Sequence, residues 1–202
     1  MDDKHISVIV LLDMSMAFDS IPHALMLSKL QSIGVSNAAY DWFGSYLHLS
    51  VANSVSDPLP VTVGVPQGSI LGPVLFSLYV DNQLSVPTHC HAMGHVDGTK
   101  TFLSLPPNRI SDEVIALNAD LLAIERWCCT NSLVINPDKT KLLVIGVPQI
   151  TRRLPSFPTV KLLGKEIKPV PVGKDLGVTI DSSLSYDKHV TKTVLDCKHR
   201  IP

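Results

Sequence analysis

His95-Val96-Asp97-Gly98-Thr99 is the stretch on which the reading of this chain turns. It lies between residues 91–96 and 99–103, two runs with strand character, and Asp-Gly between such runs is a strong short-range hairpin signal. On that pattern alone Asp97 is a turn residue. The same position sets a carboxylate at an exposed hairpin tip, where it can serve a metal ion. Spacing by itself leaves both roles open.

Residues 7–12 (SVIVLL) form an unbroken apolar run that predicts a buried strand, and the run ends at Asp13. A second carboxylate is thus delivered at the C-terminal lip of a strand. Neighbouring strands can bring two such acids together although they lie far apart in sequence. Mg²⁺ asks for oxygen ligands near octahedral geometry, and two ions about 3.5–4 Å apart clamp the attacking and leaving oxygens of an in-line displacement. Asp19, beyond an expected turn, reads as a turn or cap residue. His89-Cys90-His91 has no spaced partner pair and reads as ordinary strand sequence.

Residues 64–73 (GVPQGSILGP) set a fixed loop ahead of an apolar helix that runs from Ser69 to about Asn82. Glycine lets a backbone approach a ligand closely, and Gln67 offers both a donor and an acceptor. The all-round apolarity of that helix predicts that it is buried. Elsewhere, Pro22 opens a helix with Leu25, Leu27, Leu30 and Ile33 on its apolar face and Gly34 as its stop. Ser36 opens a second helix, residues 59–65 suit a strand, and Ser111 caps a long helix with apolar positions Ile115, Leu122 and Trp127. After the turn Asn136-Pro137-Asp138 come a strand at 141–145, short strands at 160–163 and 176–180, and a helix from about Ser185 carrying Lys188, Lys192, Lys198 and Arg200. The fold class expected is α+β, an antiparallel sheet with helices packed on one face.

Composition narrows the class. With 202 residues, 45% hydrophobic and 17% charged, the chain is globular. Its net charge of −1 hides a split. Residues 1–138 hold five Lys/Arg against thirteen Asp/Glu, and residues 139–202 hold twelve against five. The basic portion suits phosphates, or is a solvated lysine-bearing face. Four cysteines without a C-x-x-C pair, and no signal peptide read at the start, point to a reduced, intracellular protein. Pro66, Gly68, Gly72 and Pro73 break the apolar run 63–80, so no membrane span and no membrane partner are expected.

These stretches, taken in order, resemble the reverse transcriptase domain of non-LTR (LINE-type) retrotransposons. Residues 12–23 (LDMSMAFDSIPH) look like the family's first catalytic motif and residues 64–73 like the second. His95-Val96-Asp97-Gly98-Thr99 occupies the place of the third, and residues 131–141 (NSLVINPDKTK) look like the fourth. Residues 175–181 (DLGVTID) resemble the segment that leads from palm to thumb. The resemblance implies a polymerase palm with incomplete fingers and thumb, 1–150 being palm with partial fingers and 151–202 the connection towards the thumb. It implies two Mg²⁺ ions (or Mn²⁺) on Asp13 and Asp97, and the backbone at Met14 near the triphosphate. Phe18 would lie under the deoxyribose, Gln67 and Gly68 would border the nucleotide and template, and Lys139 or Lys141 would serve near the leaving pyrophosphate. The partners implied are an RNA template, a DNA primer and a dNTP.

The chain departs from that pattern. Gly98 replaces the second aspartate of the third motif and His95 its aromatic residue, while Met16 stands where the family usually has Lys. The stretch after Ser50 is shorter than the family's basic strand-turn. The reading expected is therefore template-directed nucleotidyl transfer with impaired metal binding. The alternative is a non-catalytic nucleic-acid-binding remnant, and a metal-dependent nuclease or phosphatase on the same two acids is a weaker third.

Overall fold

A computed structural model describes residues 5–47, 61–66, 68–95, 98–151 and 157–198. Strand β1 (Ile6–Leu12) continues through Asp13 into the two-residue β2 (Met14–Ser15). Helices α1 (His23–Ser32), α2 (Asn37–Leu47) and α3 (Gly72–Val80) follow, the last running into a 3-10 turn, Asp81–Ser85. Strands β3 (His91–His95) and β4 (Gly98–Leu105) precede the long helix α4 (Ile110–Thr130). Next come β5 (Val134–Ile135), β6 (Lys141–Ile145) and the short α5 (Pro148–Thr151). Two hairpins, β7 (Val160–Leu162) with β8 (Lys165–Ile167) and β9 (Val172–Asp175) with β10 (Val178–Asp181), lead to α6 (Asp187–Lys198).

The main sheet has the order β3-β4-β1-β6 and is antiparallel throughout. Side chains alternate across a strand, so β1 has two different faces. Ile6, Val8, Val10 and Leu12 enter the main core with Leu117, Leu121 and Ile124 of α4 and with Leu75, Phe76 and Tyr79 of α3. Leu11 turns to the opposite face. There Gly173 of β9 comes so close that a Cβ built on it would stand 2.7 Å from Leu143 Cδ1 and 3.2 Å from Leu11 Cδ1. Helices therefore cover one face, as expected, and the β9–β10 hairpin covers part of the other. Both late hairpins turn on Leu-Gly pairs in the left-handed region (Leu163 and Gly164, Leu176 and Gly177), the pattern of a type I′ turn.

Several boundaries and faces differ from expectation. Helix α1 buries His23, Met26 and Leu30, while Ile33 lies past its last turn and is exposed. Gly34, at φ +99°, closes the helix as expected: its N–H bonds Gln31 O and that of Val35 bonds Leu30 O, a Schellman pair. Helix α3 begins at Gly72, because the Ser69 hydroxyl accepts the Gly72 N–H and donates to Pro66 O. Ile70, Val74 and Leu78 are exposed, so this apolar helix is buried on one side only. On α4 the buried stripe is Ile110, Val114, Leu117, Leu121, Ile124 and Cys128, leaving Ile115 and Leu122 outside. Ser111 lies within α4 because a 3-10 turn, Pro107–Arg109, feeds into it. Of the strand expected at 59–65, residues 59 and 60 lie outside the described residues. The rest makes a single bridge, Val63 to Pro22, which cannot be extended through Pro22 for want of an N–H.

Candidate active site

Asp13 follows the last residue of β1, in the centre of the sheet. Its C=O accepts the Asn136 N–H at 2.8 Å, and its own N–H points to Thr140 Oγ1 at 3.4 Å. The turn after β5 is thereby sewn to the end of β1. Asn136 Oδ1 accepts the N–H groups of Asp138 and Lys139, an Asx turn that fixes where Lys139 leaves the backbone. Lys139 Nζ stands 4.0 Å from Asp13 Oδ1, and that carboxylate oxygen is shielded from solvent without a hydrogen bond.

The register brings the hairpin to the same end of the sheet. Leu12 pairs with Thr99, and His95 pairs with Gly98. Val96 and Asp97, between that pair in sequence, lie outside the described residues. Asp13, His95, Gly98, Lys139 and Lys141 line one cavity of about 520 Å³, with Lys100 of β4 and Lys174 and Asp175 of β9 on its wall. Gly98 opens β4 and is not in the left-handed region, and among the described residues a Cβ added there meets only His95 O, at 3.5 Å. The backbone at position 98 does not call for glycine.

The feet of the hairpin are fixed from below. Thr99 Oγ1 donates to Gln83 Oε1 at 3.0 Å, and Gln83 Nε2 reaches Cys128 Sγ of α4 at 3.4 Å, all buried. The buried Asp120 of α4 accepts the N–H groups of Thr88, His89 and Cys90 just before β3.

The other expected site residues that are described, Met14, Phe18 and Gly68, do not line this cavity. Met14 pairs with Ile135 and is buried. Phe18 is half-buried against Phe76, ring centroids 4.8 Å apart, and its C=O accepts the Val65 N–H at 2.8 Å. With Gly64 N–H on Ile21 O, this joins the turn after Asp13 to the glycine-rich loop. Gly68, at φ +80°, has none of the described residues within 4 Å of its Cβ position. Gln67 and the stretch after Ser50 lie outside the described residues. Met16 is exposed. Sequence reading missed Lys100 and Asp175, which form an ion pair at 2.6 Å across the cavity wall. The available signal was alternation along β4, which sets Lys100 on the face opposite Thr99. Among the described residues no group of three or more His, Cys, Asp or Glu is placed to share a metal ion.

With an acid ending the central strand, a hairpin end beside it and a lysine-bearing turn behind it, the chain belongs to the reverse transcriptase (RNA-dependent DNA polymerase) family, whose model matches residues 1–180. Its relatives include RNA-directed DNA polymerases of a transposon and a mobile element and a putative 115 kDa protein of a type-1 retrotransposable element. The probable RNA-directed DNA polymerase from transposon BS of Drosophila melanogaster is 28% identical over 99% of this chain and 23% of its own length. The RNA-directed DNA polymerase from mobile element jockey of the same species is 28% identical over 95% of this chain and 21% of its own. The chain spans less than a quarter of the length of these two relatives. Among solved structures, telomerase from Candida albicans in complex with a fragment of telomeric RNA overlays with a TM-score of 0.46 and 15% identity, over 85% of this chain and 31% of that one. That likeness is loose, and the family assignment stands without it.

Proposed function

We propose that this chain is a reverse transcriptase core that extends a DNA primer 3′-OH with dNTPs along an RNA template, with activity reduced by Gly98. The observation that carries the reading is the meeting of Asp13, His95, Gly98 and Lys139 in one cavity at the end of the central sheet. In this reading 1–150 acts as a palm with partial fingers and 151–202 leads towards a thumb, and the protein works inside the cell.

Among the described residues Asp13 is the carboxylate at the end of β1 that would ligate a divalent metal, and no group of three such ligands accompanies it. Asp13 Oδ1 is shielded from solvent and makes no hydrogen bond, with Lys139 Nζ 4.0 Å away, so its lone pairs are open to a further cation. Asp13 and Asp97 would hold Mg²⁺ or Mn²⁺, and Gly98 adds no ligand. Bound metal supplies activation of the primer hydroxyl and neutralisation of charge at the transferring phosphate. The chain's own part is positioning. The Asx turn fixes where Lys139 leaves the backbone, so that its ammonium would stand beside Asp13 and offset charge on the leaving pyrophosphate. Phe18 closes the floor under the sugar against a 2′-OH. The backbone at Met14, with Gln67 and Gly68, would border the nucleotide and template, as the family resemblance implies.

A lost carboxylate ligand is on the scale of one lost electrostatic partner, about 10²–10³ in rate. Primer extension on an RNA template with Mg²⁺ or Mn²⁺ tests this. Extension is expected to be slow in the wild type, absent in Asp13→Ala, and raised by about that factor in Gly98→Asp, a side chain the backbone accommodates. A folded Gly98→Asp variant that binds primer–template but extends nothing would leave the non-catalytic binding remnant, which the missing carboxylate favours, as the correct reading. Metal-dependent cleavage of an unprimed oligonucleotide would point instead to a nuclease.

A further inference from the structure

We propose that the Lys100–Asp175 ion pair is a positioning clasp that seats the β9–β10 hairpin over the open face of the sheet beside Asp13, and that nucleic-acid binding depends on it. The inference rests on the polymerase reading for the ligand it names, and on geometry for the rest. Lys100 and Lys141 flank Leu11 in one cross-strand row, since both pair with it in register. Gly173 lies against Leu11 and Leu143 on that face. Asp175 is two residues on from Gly173, so strand alternation turns it to the same side. It takes Lys100 at 2.6 Å, with both side chains about three-quarters buried.

The other hydrogen bonds from this hairpin and its flanks to the sheet, among the described residues, are Val170 N–H to Leu142 O and Gly146 N–H to Ser182 O. Both lie at the end away from the Leu176-Gly177 turn. The Lys100–Asp175 pair is the polar tie at the cavity end. It fixes the height of the hairpin over Leu11, and with it the place of Lys174 on the cavity wall. It also occupies Lys100, which would otherwise stand as a free cation in the cavity that holds Asp13.

The test compares Lys100→Met, Asp175→Asn and the reversed pair Lys100→Glu with Asp175→Lys. Two readouts serve: amide hydrogen exchange across residues 172–181, and anisotropy of a labelled DNA primer on an RNA template. A sum of charges makes Asp175→Asn bind more tightly and Lys100→Met less tightly. A clasp makes both bind several-fold more weakly, speeds exchange at 172–181 in both, and lets the reversed pair recover most of each loss. Unchanged exchange in the single variants overturns the clasp, as does opposite-signed binding or a folded reversed pair that recovers nothing. Faster exchange in both variants, with no duplex binding even in the wild type, leaves the clasp as the seat of the hairpin and overturns both its link to nucleic acid and the polymerase reading.

Discussion

Asp120 is a buried carboxylate on α4 that holds the chain where it enters β3. Burial alone would raise its pKa, but the N–H of Thr88, the His89 ring and the N–H groups of Cys90 and His89 outweigh it and bring the group down to about 2. The sign of the linkage follows. A carboxylate with a depressed folded pKa contributes stability above its unfolded value near 3.9, and that contribution is lost as pH falls from about 4 towards 2. Its size is on the order of 2 kcal/mol. Asp120→Asn, which sets an amide N–H₂ against backbone donors, is expected to lower unfolding free energy by about 2–3 kcal/mol at pH 7. The deficit shrinks below about pH 3, as urea titrations at the two pH values would show. Nothing in the sequence around Asp120 announces this role, because its partners, the backbone of Thr88, His89 and Cys90 with the Thr88 hydroxyl and the His89 ring, lie some thirty residues away. Asp13 was legible for the opposite reason: an apolar run that stops at an acid states its own geometry.

At the scale of elements, hydrophobic runs located the helices and strands, and partners decided their faces. Helix α3 is apolar all round, so its sequence carries no phase. Only its neighbours set Phe76 and Tyr79 inward and Val74 and Leu78 outward. Phe76 is fully buried, and Phe76→Ala is expected to cost about 3–5 kcal/mol through lost burial and the cavity left behind. Leu78→Lys, on the exposed side of the same helix, is expected to change stability by less than about 0.5 kcal/mol. Thermal melts of the two variants check both, and a large loss from Leu78→Lys would mean that its side is packed in solution. The Leu-Gly turns escaped notice because Leu is a poor left-handed residue, tolerated here next to a glycine that takes the second positive φ.

Over the whole molecule, the order of motifs along the chain was legible, while the convergence of its lysines was not. The basic bias after residue 138 is a property of composition and does not say where the charges meet. Sheet register and the packing of β9 bring Lys139, Lys141 and Lys174 from separate elements to the cavity that holds Asp13, while Lys161 on β7 lines a different surface. If the cavity receives the phosphates of a nucleic acid, these positions are not equivalent. Each cation that neutralises a phosphate releases counterions and contributes about 0.7–0.9 to the slope of log K against log salt. Primer–template binding measured by anisotropy across a NaCl series is expected to lose close to one unit of slope in Lys139→Met and again in Lys141→Met. Lys161→Met is expected to leave the slope unchanged. Equal changes at all three positions would mean that the basic portion binds as a diffuse charge. The cavity would then not be where the backbone of the nucleic acid runs.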